Sequence, residues 1–163
     1  QFSRELGPEG NKMTIRSLPI LISATTVTPQ STVMEALQIM IANRSNHVPV
    51  CDGELYIGLI SVNDILQKLL PAGVEMPHGV PDLKFAGDAS RLLGSHFRHL
   101  REQKAKDILH HTPPLDDNCP LLEAALLLSH SLTPLPVVDQ GGKLLGMLSR
   151  RGLLEYLAKE AER

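Results

Sequence analysis

The feature that most constrains this chain is that it is written twice. Thr32-Val33-Met34-Glu35-Ala36-Leu37 resembles Pro120-Leu121-Leu122-Glu123-Ala124-Ala125, with Glu35 and Glu123 standing 88 residues apart. His47-Val48-Pro49-Val50-Cys51-Asp52 answers Pro134-Leu135-Pro136-Val137-Val138-Asp139 at a spacing of 87, and Gly58 answers Gly146 at 88 again, so one loop residue has shifted. Each copy is about 60 residues, too few to bury its own helices and sheet, and the two are therefore expected to pack together.

Both copies read β-α-β-β-α. A short extended piece (26–28; 113–115) precedes a helix whose apolar positions recur at three and four: Val33, Leu37, Met40 and Ile41 in the first copy, Leu121, Ala124, Ala125 and Leu128 in the second. Thr32 with Glu35 fits a capping box, and Pro120 suits the start of the second helix. A strand at 48–51 or 135–138, a polar turn and a second strand at 55–60 or 144–148 make a hairpin. A closing helix follows at 62–70 or 151–159. Pro71, Gly73, Pro77, Gly79 and Pro81 then mark a loop, and Leu92, Leu93, Phe97 and Leu100 share one face of a helix expected over 88–103. The expected organisation is a tail at 1–11, a first repeat at 12–70, an insert at 71–103 and a second repeat at 104–163.

Composition narrows the function. The 163 residues carry a formal charge of −2 with the cations scattered, which gives no footprint for nucleic acid or an anionic membrane surface. Apolar runs such as 18–22 fall far short of the ~20 residues that span a bilayer. There is no signal-peptide pattern, and Cys51 and Cys119 show no motif spacing, which favours a reducing, cytoplasmic setting. The first residue is Gln1, which fits an excised domain, a processed product or an expression scar alike.

The ordered set of Glu-Ala on the first helix, Val-Pro-Val-x-Asp or Leu-Pro-Val-Val-Asp on a strand and Gly-x-x-Ser-x-x-Asp at a strand end resembles a tandem pair of CBS domains, a Bateman module. The resemblance implies an α+β fold: two βαββα repeats packed about a pseudo-twofold axis, with two clefts between them and a partly helical insert. It also implies that the clefts take an adenosine compound such as AMP, ADP, ATP or S-adenosylmethionine, that occupancy is relayed to a partner or parent protein, and that modules pair as homodimers.

The site motif is GLISVND, Gly58 to Asp64, and its near copy is GMLSRRG, Gly146 to Gly152. Ser61 and Asp64 have the spacing of a capping box, which needs no ligand. The same carboxylate could accept hydrogen bonds from two vicinal ribose hydroxyls, with the helix start facing a phosphate. In the resembled family the acid holds the ribose, so Asp64, with Ser61 and Asn63, is the candidate anchor. His47 would reach the phosphates and His111, Thr112 and Pro113 would meet the base. Gly152 stands where the second acid would be, so the second cleft, with Ala24, Thr25, Thr26, Thr133 and Ser149, is expected to be weaker. Arg150 and Arg151 replace Val62 and Asn63 and are candidates to face the phosphate held by the other repeat.

Catalysis has little to stand on, because no nucleophile or acid–base pair emerges from the spacing. His96, His99, His110 and His111 could be imagined around zinc, but no paired cysteines or nearby glutamate complete a site, and no metal is expected. The alternative is a structural dimerisation or interaction module whose degenerate clefts bind no nucleotide.

Overall fold

Among the described residues, a helix, a hairpin and a second helix that starts where the hairpin ends recur twice along the chain. The computed structural model describes residues 14–17, 24–70 and 86–163; the tail at 1–11, the apolar run at 18–22 and the proline- and glycine-rich loop at 71–85 lie outside the described residues. The order is a short 3-10 turn Ile15–Ser17, α1 (Val33–Ala42), β1 (His47–Asp52), β2 (Leu55–Ser61), α2 (Val62–Leu69), α3 (Ala86–Leu100), α4 (Ala105–Ile108), β3 (Leu115–Asp116), α5 (Leu121–Ser129), β4 (Leu135–Val138), β5 (Leu144–Leu148) and α6 (Arg150–Ala161). Among the described residues, no helix is long and apolar enough to cross a membrane.

The chain divides into two compact units that do not follow its two halves. One contains 25–53 and the described residues of 57–111; the other contains the described residues of 1–24, then 54–56 and 112–163. In the first unit, β1 and β2 pair, and the extended piece expected at 26–28 is reduced to one parallel bridge between Val27 and Val50. Val27 N donates to Pro49 O and Cys51 N donates to Val27 O to make it. Thr32 caps α1 as expected: Glu35 N donates to Thr32 Oγ1 at 3.1 Å and Thr32 N to Glu35 Oε2 at 3.3 Å.

Val33, Ala36 and Met40 are the buried face of α1. Ile41, expected on that face, is 66% exposed, because the stripe runs through the small Ala36 instead. The insert helix α3 begins and ends earlier than the 88–103 expected. Its end is set by α1, whose first amides must be satisfied from outside the helix: Val33 N donates to Gln103 O and Met34 N to Arg101 O. Residues 101–103 leave the helix to supply those carbonyls. Leu100, Ala105 and Ile108 complete the core formed by Val33, Ala36, Met40, Val48, Val50, Ile60 and Ile65, and Leu92, expected beside Leu100, is exposed.

The second unit repeats this construction. β3 runs parallel to β4 with Leu115 opposite Val137, and β4 pairs antiparallel with β5. The pairs Leu115–Val137 and Val27–Val50 differ by the same 88 and 87 positions found in the sequence. Ile15 fills the core of Leu115, Ala124, Leu128, Leu135, Val137, Leu148 and Leu153. Ile15 N donates to Cys119 O and Arg16 N to Asp117 O, as Ala105 N donates to Ser31 O and Lys106 N to Pro29 O in the other unit. The piece that opens each repeat thus packs into the core built mainly by the other repeat.

Candidate functional site

Ser61 ends β2, and its extended backbone (φ −113°, ψ 159°) makes it the N-cap of α2. The Ser61 hydroxyl accepts from Asp64 N at 3.0 Å, and the Asp64 carboxylate, through Oδ2, accepts from Ser61 N at 2.8 Å. Both halves of the capping box are therefore made, and Ser61 is buried. The helix start is less open to an anion than the spacing suggested, because Val62 N already donates to Asn46 O at 3.0 Å. Asn63 is exposed on the same turn.

The carboxylate has a further partner that the local motif did not reveal. His110 Nδ1 lies 2.6 Å from the same Oδ2, with the Asp64 side chain 20% exposed and that of His110 36%. A carboxylate only accepts, so in this contact the imidazole donates through Nδ1–H. Among the described residues, Oδ1 makes no hydrogen bond. His110 is brought there by an antiparallel bridge to β2: Leu59 N donates to His110 O and His110 N to Leu59 O, each at 2.9 Å. Gly58 permits that approach, since a Cβ there would stand 2.8 Å from Leu109 Cδ1 and 2.9 Å from His110 O.

His47, at the start of β1, is held by Ser45, whose hydroxyl donates to His47 O at 2.8 Å and accepts from His47 N at 3.2 Å. Burial pushes the His47 imidazole below its ordinary pKa and His110 pushes the same way, while Asp64 opposes them. Ser61, Asp64, His47 and His110 thus form one polar cluster in the first unit. Of the residues expected at the base, His111 is exposed and Thr112, in the other unit, accepts from Tyr56 OH at 2.7 Å through its carbonyl; Pro113 is exposed.

The second copy keeps half of the device. Ser149 caps α6 by accepting from Gly152 N at 2.9 Å, and with no side chain at Gly152 the reciprocal bond is missing. Thr133 is fastened by Ser131 as His47 is by Ser45: Ser131 Oγ donates to Thr133 O at 2.8 Å and accepts from Thr133 N at 3.2 Å. Arg150 donates from Nη1 to Ser131 O at 2.9 Å, which commits it to its own repeat, whereas Arg151 is exposed and makes no hydrogen bond or ion pair among the described residues. Ala24 is half-buried and Thr25 and Thr26 are exposed; Thr26 lines a groove of about 420 Å³ with Val27, Ser31 and Glu35.

The imagined zinc site does not assemble: among the described residues, no three or more His, Cys, Asp or Glu side chains are grouped to hold a metal ion. His96 instead places Nδ1 3.2 Å from Leu69 O, at the end of α2. Cys51 and Cys119 are buried free thiols, and burial raises both pKa values, opposite to what an activated nucleophile needs.

A family model described as CBS domain matches residues 13–71 and 105–159. A CBS domain-containing protein of Dictyostelium discoideum is 29% identical over 140 residues, which span 84% of this chain and 86% of that one. A homoserine O-acetyltransferase of Methanocorpusculum labreanum is 30% identical over 124 residues, but these are 76% of this chain and only 20% of the enzyme. Among solved structures, CBSX2 from Arabidopsis thaliana in complex with AMP has a TM-score of 0.64 at 24% identity, covering 92% of this chain and 98% of that one.

Proposed function

The chain belongs to the CBS-domain family, as a tandem pair, and from that premise we propose that it is a regulatory module that binds an adenosine nucleotide at Asp64 and relays its occupancy to a partner or parent protein. The observation that carries the reading is the state of the Asp64 carboxylate. It projects from the first turn of α2, is fixed by the Ser61 amide through Oδ2, remains 20% exposed and keeps Oδ1 without a partner among the described residues. Oδ1 is open to a ribose hydroxyl, and the vicinal hydroxyl would contend with His110 for Oδ2; CBSX2, which shares the fold, has been solved with AMP. The ligand's regulatory effect is limited by its differential affinity for the two arrangements it selects between.

AMP, ADP, ATP and S-adenosylmethionine are the candidate ligands, and no cofactor is required. His47 and Asn63 enter the proposal by their place beside Asp64; His111, Thr112, Pro113, Arg150 and Arg151 enter it through the family resemblance. The Gly152 copy, with Ala24, Thr25, Thr26, Thr133 and Ser149, is the weaker site. The module performs no chemistry of its own in this reading, and an activity like that of the acetyltransferase would reside in the four fifths of that enzyme that this chain does not match.

Isothermal calorimetry with the four compounds tests the proposal. A charge-assisted hydrogen bond contributes about 1.5–3 kcal/mol, so Asp64→Ala is expected to weaken binding about 10- to 100-fold. Unchanged affinity in a folded variant would return Asp64 to helix capping alone.

A second reading, a dimerisation module, is favoured by exposed leucines. Leu122 (84% exposed) and Leu126 (59%) are four apart on α5, and Leu154 (64%) and Leu157 are three apart on α6, the helix that packs against it. The pairing of two copies through this face is compatible with ligand binding. Light scattering of Leu122→Glu and Leu154→Glu against the parent tests it, and an unchanged mass would reject it.

A further inference from the structure

His110 has no place in the nucleotide reading as it stands, yet it is the best-positioned donor at the carboxylate. Two backbone hydrogen bonds hold its segment on β2, and its Nδ1 lies 2.6 Å from the Asp64 oxygen that also caps α2. The Nδ1 proton is committed to that oxygen, so the nitrogen free to gain or lose a proton is Nε2.

Resting on the nucleotide reading above, we propose that His110 is a positioning residue that makes the Asp64 site proton-linked: the imidazolium holds the carboxylate closed as an ion pair, and the neutral imidazole yields it to the ribose.

The physical basis is competition for one acceptor. A hydrogen bond to a carboxylate from a cationic donor is about twice as strong as one between neutral partners, and it neutralises the acceptor. Ribose hydroxyls arriving at Asp64 find Oδ1 open, but a vicinal pair that uses both oxygens must share or displace the His110 bond at Oδ2. They do so more readily when His110 is neutral, so binding releases a proton and affinity rises with pH. Imidazole changes charge between about pH 5 and 8, the window in which the linkage acts.

Among the described residues, Asp64 on α2 is in contact with His110, and His47 on β1 interacts electrostatically with both. Burial and then His110 push the His47 imidazole below its ordinary pKa, with Asp64 opposing them. The arrangement differs from simple capping, because the Ser61–Asp64 box is complete without the imidazole.

Calorimetry with AMP at pH 5.5 and 8.0 tests this in the full chain, using wild type and His110→Gln. Glutamine keeps a donor and cannot charge, and the ratio of the two proteins' affinities cancels the titration of the AMP phosphate itself. Wild-type affinity is expected to fall about 5- to 20-fold at pH 5.5 relative to the variant, with equal melting temperatures as a fold check. Parallel pH profiles in the two proteins, or a wild-type advantage at acid pH, would overturn the proposal. Absence of AMP binding to both proteins at both pH values would defeat the nucleotide reading and the linkage with it. The His110–Asp64 contact is read separately, as a downfield Nδ1–H proton resonance in the ligand-free protein that should vanish in Asp64→Ala; its absence from wild type would defeat the latch whatever binds.

Discussion

Gly58→Ala tests whether the site depends on close backbone approach. A methyl there would sit 2.8 Å from Leu109 Cδ1 and 2.9 Å from His110 O, where ordinary contact begins at 3.4 Å. The leucine methyl ends a flexible side chain and can rotate away. The carbonyl cannot, because it accepts from Leu59 N at 2.9 Å while His110 N donates back to Leu59 O at 2.9 Å. Relief by about half an ångström therefore stretches both bonds together. Overpacking costs about 1–3 kcal/mol and two weakened hydrogen bonds about 0.5–1.5 kcal/mol each. Alanine also restricts the unfolded chain, which offsets about 0.4–1 kcal/mol. The net loss is about 1–5.6 kcal/mol, or roughly 2–20 °C in Tm for a chain of this size. Thermal and urea unfolding followed by circular dichroism would measure it. Gly94→Ala is the internal control: nothing stands within 4 Å of its Cβ position in α3, so the variant should gain about 0.5–1 kcal/mol. A Gly58→Ala protein melting within 2 °C of wild type would refute the reasoning.

Three further outcomes follow from the hydrogen bonds and charges of the two units. Asp117 is buried, its Oδ1 has no partner among the described residues, and Arg16 Nε lies 3.5 Å from Oδ2. Burial, then the neighbouring Asp116, raise its pKa against the pull of Arg16. A raised carboxyl contributes stability that is present below the unfolded value of about 3.9 and lost as pH rises through the folded one. Asp117→Asn is therefore expected to match wild type near pH 3.5 and to melt higher at pH 7.5; a lower melting temperature at pH 7.5 would show that the Arg16 pair dominates. Asp116, lowered chiefly by the Asn118 amide, has the opposite sign, so Asp116→Asn should lose stability relative to wild type as pH rises from 3 to 6. Ser149→Ala removes the side-chain N-cap of α6 and should cost about 1 kcal/mol in urea unfolding, and an unchanged midpoint would mean that the cap contributes nothing.

Much of the fold could be read because its determinants are local or repeated. Thr32 with Glu35 and Ser61 with Asp64 specify their helix starts within four residues, and both boxes form. The repeat carries the rest: the parallel contact weakly marked at Val27 becomes a strand at Leu115–Asp116 in the second copy, at the corresponding register. Errors arose where tertiary demands overrode the local pattern. The 101–103 stretch is a credible helical continuation of α3, but the orphan amides of Val33 and Met34 claim its carbonyls. Ile41 fits an apolar period, yet packing selected the small Ala36, which allows closer approach than a hydrophobic count would favour.

The site divides along the same line. Ser61 and Asp64 are legible as a pair because three residues of helix geometry bring them together. His110 is 46 residues from Asp64, and it arrives only because β2 accepts a bridge at Leu59 and Gly58 leaves room for the incoming chain. Glycine in that motif has a signal of its own: inside a strand it marks either a bulge or the close passage of another backbone. The motif therefore encodes its neighbour as an absence of side chain, and the identity of the neighbour's side chain is written elsewhere. This also gives the missing acid at Gly152 a physical meaning. Ser149 alone suffices to start α6, so the carboxylate is dispensable to the helix. In the first copy the carboxylate is instead shared between a cap and an imidazole, so a single residue couples the start of α2 to the segment that carries His110.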